Sequence, residues 1–113
     1  MTNTQANELQ ARRIQVVKDH MRLEVENDWD AVIATFEHPR YELYGSGAVF
    51  DGEVAVRKYF TASRTPFPDQ GNEIIAIAAE NNSVLVEFWL TGTHLGPLRV
   101  DSKVVEATGK SFR

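Results

Sequence analysis

Three side chains in the sequence, His94, Asp69 and Glu73, could do acid/base work together if the chain brings them to one place. Glu73 to Glu80 and Ser83 to Leu95 are separated only by Asn81-Asn82, so they read as a hairpin whose turn asparagines tolerate positive φ. With Glu80 facing Ser83, counting outward pairs Ala79 with Val84, Ile77 with Val86, Ile75 with Phe88 and Glu73 with Leu90. His94 shares the parity of Val84, Val86, Phe88 and Leu90, which points it to the core side at the rim of the sheet. The same count sets Asp69 opposite His94 and Glu73 diagonally near it. An imidazole beside a carboxylate is a general acid/base pair, because the carboxylate fixes the ring's tautomer. Each residue also has a plainer reading: His94 as a hydrogen-bonded residue at a strand end, Asp69 as a turn residue after Pro68, Glu73 as a solvated residue where a strand starts. Asp51, the other acid beside a glycine, reads as a helix N-cap.

Around this candidate pair, Tyr44, Phe50, Tyr59, Phe60, Phe67 and Phe88 could wall a pocket for a small apolar or aromatic ligand, or simply fill a core. Leu85 and Trp89 have the opposite parity and fall on a mixed polar and apolar face, which suits a homodimer formed through the outer face of the sheet. His20, His38 and His94 lie in separate elements without ligand spacing, and there is no cysteine, so no metal is expected. The chain carries no phosphate-cradling glycine loop, dinucleotide fingerprint or GxSxG elbow, so the expected chemistry uses no cofactor.

The elements that must position these residues follow from local signals. Leu9, Ile14, Val17, Met21 and Val25 predict a helix from Glu8 to Asn27, with residues 1–7 flexible. Asn27 or Asp28 caps a second helix carrying Trp29, Val32, Ile33 and Phe36, which ends at His38-Pro39. Tyr41 to Tyr44 reads as a short strand ended by Gly45-Ser46-Gly47, and Asp51-Gly52 opens a third helix from Glu53 to about Ser63. After the hairpin, Gly96-Pro97 leads into a strand from Leu98 to Val105, with a bulge or turn at Asp101-Ser102-Lys103.

At 113 residues the chain has the length of one domain, 1–113, and its 42% apolar and 25% charged composition is that of a folded one. A net charge of -4 with no basic stripe gives no support to nucleic-acid binding. No apolar run approaches the roughly 20 residues that span a bilayer, so no membrane partner is expected and the cytoplasm is the default location.

Helices first, then a meander, make an α+β domain in which a curved antiparallel sheet wraps N-terminal helices into a cone. Gly52-Glu53 before a helix, Phe67-Pro68-Asp69 after it, the Asn81-Asn82 turn, Thr91-Gly92-Thr93-His94-Leu95-Gly96 and Thr108-Gly109-Lys110 occur in this order. In that order they resemble the SnoaL-like polyketide cyclase branch of the nuclear transport factor 2-like superfamily. The resemblance implies a cone with a pocket at its open end, and His94 resembles a pocket histidine of the cyclases. Two departures stand out: the segment after Gly96 is longer than usual, and the chain ends at Ser111-Phe112-Arg113, where relatives would begin a strand and add another. The sheet is therefore expected to lack its last strands, the C-terminal end reads as truncated, and the carboxylate that such cyclases place on a late strand has no counterpart. Two functions are carried forward. One is a cofactor-independent cyclase or isomerase acting on an apolar carbonyl compound by acid/base chemistry. The other is a non-catalytic ligand-binding or dimerisation domain.

Overall fold

The computed structural model describes residues 1–113. Its first helix, α1 (Asn3–Val25), starts at a capping box rather than at the first apolar stripe residue. The Thr2 hydroxyl accepts the Gln5 backbone N–H at 3.1 Å, and the Gln5 side chain accepts the Thr2 N–H at 2.8 Å. The expected start at Glu8 is thus corrected to Asn3, because the cap satisfies orphan amides that the apolar spacing ignores. Asp28 caps α2 (Trp29–Ala34) as expected, its carboxylate accepting the Ala31 N–H at 3.2 Å.

After Pro39 come β1 (Arg40–Leu43) and β2 (Ala48–Asp51), an antiparallel hairpin in which Arg40 pairs with Asp51. The sequence signals do not reveal β2, a run of four residues behind a glycine turn, and they present its last residue as a cap. Asp51 is instead a strand residue whose carboxylate accepts from the His38 ring, and Gly52, at φ 90°, opens α3 (Glu53–Arg64) without any side-chain cap.

The principal sheet has the order β3-β4-β7, with β3 (Gly71–Ala79), β4 (Val84–Thr93) and the short β7 (Ser111–Phe112) all antiparallel. The hairpin closes as counted: the Glu80 N–H donates to the Ser83 carbonyl at 2.9 Å, and Ala79 pairs with Val84 and Ile77 with Val86. Neither Asn81 nor Asn82 adopts positive φ, so the turn is not the left-handed kind their residue type suggests. Between Ile74 and Ala76 a β-bulge shifts the register. The expected pairs Ile75–Phe88 and Glu73–Leu90 do not form; Ile74 pairs with Phe88, Glu73 with Trp89 and Asn72 with Leu90. One unpaired residue reverses the facing of everything before it. The predicted strand Leu98 to Val105 is two strands, β5 (Leu98–Val100) and β6 (Lys103–Val105), folded back on each other at Asp101, φ 54°.

The fully buried centre is Val32 from α2 with Val56 and Phe60 from α3, and Trp29 stacks on Phe60 at 4.6 Å. Burying each such side chain contributes about 1.5–3 kcal/mol. α1 lies across β3 and β4, its Met21 buried. The inward residues Phe88 and Leu90 nevertheless stay 42% exposed, so the cone is open along this wall. No helix is long and apolar enough to cross a membrane.

Candidate functional site

The opening between α1, α3, β1 and the inner face of the β3–β4 hairpin is a cavity of about 360 Å³. Met21, Val25, Leu43, Val86, Phe88 and Leu90 form its apolar walls. Its polar groups are Glu24, Tyr41, Tyr59, Arg64, Gln70 and Asn72. Asn72 is here because of the bulge: the shifted register turns it inward opposite Leu90, where its amide donates to the Met21 carbonyl at 3.3 Å. Glu24 is the only acidic side chain lining the cavity.

Glu24 sits one helical turn after His20 on α1, so the two side chains meet. His20 Nε2 lies 3.0 Å from Glu24 Oε2 and 2.8 Å from the Tyr41 hydroxyl, and His20 Nδ1 lies 2.7 Å from the Thr35 hydroxyl. From α3, Arg64 donates to Glu24 Oε1 at 3.3 Å, donates to the Ser63 hydroxyl at 2.9 Å and stacks over Trp29 at 5.2 Å. Its Nε is buried without a partner. Burial first, and then the Glu24 charge, push the Tyr41 hydroxyl well above the ordinary tyrosine range. The same two causes raise Tyr59, with Arg64 opposing. Both phenols therefore keep their protons at neutral pH and can donate hydrogen bonds.

The three residues singled out by the sequence lie elsewhere. None of His94, Asp69 and Glu73 lines the cavity. His94 is 8% exposed; its Nδ1 meets the Thr108 hydroxyl at 3.0 Å, its ring packs 5.7 Å from Phe67, and its Nε2 has no partner. Asp69 does not reach it. The Asp69 carboxylate instead accepts the Thr93 backbone N–H at 2.8 Å and the Thr93 hydroxyl at 2.7 Å, bonds that hold it below the ordinary aspartate range. Glu73, turned to the outer face by the bulge, takes the Arg113 guanidinium at 2.8 Å, and that guanidinium lies 5.0 Å over Trp89. The Thr91-to-Gly96 motif is thus a seam. A Cβ on Gly92 would stand 2.7 Å from the Phe112 ring, and one on Gly96 would stand 2.1 Å from the Thr65 carbonyl oxygen.

Of the six aromatic residues read as pocket walls, Tyr59 and Phe88 line the cavity. Phe50 stacks behind Tyr59 at 4.7 Å, Phe60 is core, Phe67 belongs to the His94 seam, packing 5.1 Å from Phe112, and Tyr44 is exposed at the β1–β2 turn. Leu85 and Trp89 are exposed on the outer sheet face. His20, Glu24, Tyr41 and Arg64 match no motif, yet α1 carries a signal for two of them. Positions 17, 20, 21 and 24 share one helix face, so His20 and Glu24 interrupt an apolar stripe that includes Val17 and Met21. Polar residues on a buried stripe need partners, and here the partners are the cavity wall.

A sequence model of the SnoaL-like domain matches residues 17–113, and the chain belongs to this family. Its architecture is the α+β, nuclear transport factor 2-like fold. Among solved structures it is similar to AclR from Streptomyces galilaeus, a protein provisionally named a hydroxylase, with a TM-score of 0.70 at 20% identity. The likeness covers 90% of this chain and 61% of that one, so this chain spans about three-fifths of AclR's length. At this identity the likeness is one of fold. No curated protein matches the sequence.

Proposed function

We propose that the cavity holds a small, largely apolar carbonyl compound and that Glu24 moves a proton on it without a cofactor, as a cyclase or isomerase does. The observation that carries this reading is that a single carboxylate, Glu24, faces an apolar cavity beside two phenols that stay protonated. In the proposed step, Glu24 takes a proton from the carbon next to a carbonyl. The C–H electron pair moves onto the carbonyl oxygen, and the enolate oxygen accepts hydrogen bonds from Tyr59 and the Arg64 guanidinium. An isomerase returns the proton from Glu24 to a different carbon. In a cyclase the enolate carbon attacks a second carbonyl of the same molecule, a C–C bond forms, and the new alkoxide takes the proton back from Glu24. The apolar walls Val86, Phe88 and Leu90 favour the folded conformer that brings the two carbons together.

The test is deuterium exchange at the activated carbon of a small 1,3-dicarbonyl compound, followed by NMR. Glu24→Gln should slow the protein-catalysed exchange by about 100-fold or more. An unchanged rate removes Glu24 from the chemistry. Binding of the compound without any catalysed exchange points to a non-catalytic binding domain.

A second reading, association of two copies through the outer sheet face, draws support from Leu85 and Trp89, which both stand exposed there. Trp89→Glu should convert a dimer to a monomer in sedimentation, and an unaltered mass sinks this reading.

A further inference from the structure

Asn72 carries an amide whose two ends the fold tells apart. Its Nδ2 lies 3.3 Å from the Met21 carbonyl of α1, and a carbonyl has no proton to give. The NH2 end must therefore face Met21, and the oxygen end, Oδ1, points away from that carbonyl. No protein group donates to Oδ1. Among buried side-chain nitrogen and oxygen atoms only Arg64 Nε and His94 Nε2 lack a partner, so Oδ1 is an open atom rather than a buried one. Asn72 lines the cavity, so a free acceptor is offered there. The other polar groups of the wall are of different kinds. Tyr41, Tyr59 and Arg64 donate, Glu24 is already met by Arg64 at 3.3 Å, and Gln70, an amide with no protein partner, can turn either end to a ligand. Asn72 is the uncharged acceptor whose orientation the protein itself fixes.

We infer that Asn72 is a specificity-determining residue: its Oδ1 accepts a hydrogen bond from a hydroxyl of the bound compound, so the cavity selects hydroxylated carbonyl compounds over those with a methyl group in the same place. This rests on the cavity being a ligand site, as proposed above, and not on Glu24 doing chemistry. The carbonyl end of such a compound meets the donors Tyr59 and Arg64 of α3, and its hydroxyl meets the acceptor on β3. The bond to Met21 holds Asn72 in place before the ligand arrives, so little ordering is needed on binding. Phe88 and Leu90 are 42% exposed, so a methyl compound leaves Oδ1 within reach of water. The selectivity is then that of one exchanged hydrogen bond, about tenfold, and not the roughly 10,000-fold of a site whose polar groups are stranded without water.

The test compares affinities, by titration calorimetry, for the meta and para isomers of hydroxyacetophenone and of methylacetophenone, which match in size and differ in the donor. The unmodified protein should bind at least one hydroxy isomer more tightly than its methyl counterpart, because a hydroxyl moved out of water without finding an acceptor would weaken binding instead. In Asn72→Leu, which keeps the bulk and removes the acceptor, that hydroxy-to-methyl affinity ratio should fall about tenfold. A ratio that survives in Asn72→Leu overturns the inference, and so does an unmodified protein that binds neither hydroxy isomer more tightly. If Asn72→Leu fails to fold, Asn72→Ala is read in the same way, and the ratio in the unmodified protein still decides. Binding without the preference overturns this inference and leaves the Glu24 reading standing. A preference without catalysed exchange removes the chemistry and leaves the role of Asn72 standing, while binding of none of the four compounds overturns both.

Discussion

The domain holds one buried histidine and one half-buried one, and the company each keeps is different. His20 has polar side chains on both ring nitrogens, from α1, α2 and β1, and its neighbours Glu24 and Tyr41 open onto the cavity. His94 has one polar side-chain partner, Thr108, beside an apolar ring, while its backbone does the joining. The His94 N–H donates to the Lys110 carbonyl and its carbonyl accepts from Gly109, both at 2.9 Å. One site is joined through side chains from three elements, and the other is joined largely through its main chain. A recognisable motif with glycines and a histidine can therefore mark where a fold is sewn together, while the residues suited to chemistry sit inside an ordinary helix.

The hardest blow to the seam should be Gly96→Ala, which sets a methyl group against the Thr65 carbonyl and should cost about 3 kcal/mol of unfolding free energy. Gly45→Ala, with nothing within 4 Å, should cost under about 0.5 kcal/mol in the same denaturant titration. Equal losses for the two would mean that the seam is not a close approach. His94→Gln tests the contrast directly. It should lower stability by about 1 kcal/mol through the Thr108 contact yet leave deuterium exchange at the unmodified rate. Complete loss of exchange in a folded His94→Gln protein would restore His94 to the chemistry.

The smallest effect concerns Asp69. The Thr93 hydroxyl first, and the Thr93 N–H second, lower its pKa below the ordinary 3.8, so its bonds stabilise the folded form at and above the usual aspartate range. That contribution is lost as pH falls through the lowered value. Tm measured from about pH 6 down to about pH 2 should fall less steeply in Asp69→Asn than in the unmodified chain. Parallel curves would detach Asp69 from the acid response of the seam.

The fold was readable because its signals are local. Asp28 caps α2, and the two asparagines stand between two strands in the register that the chain adopts next to the turn. The site was harder to see for two physical reasons. His20 meets Tyr41 across 21 positions and Glu24 meets Arg64 across 40, distances over which no spacing rule operates. The bulge at Ile75 leaves no mark in Ile74-Ile75-Ala76-Ile77, a run apolar on both faces whose alternation cannot report which residue is extra. Asp69 and Glu73 were placed by that same count, and the shift carries Glu73 to the Trp89 side.

The bulge also sets the charge of the cavity. With Ile75 unpaired, Asn72 faces inward and Glu73 outward, so the cavity contains one carboxylate and one guanidinium, Glu24 and Arg64. In an unbulged ladder Ile75 would pair with Phe88 and Glu73 with Leu90, adding a second carboxylate to the same cavity. Two acids facing one cavity hinder each other's ionisation, and one of them would tend to keep its proton. Whether one residue of β3 stays unpaired thus decides whether the cavity presents one carboxylate or two.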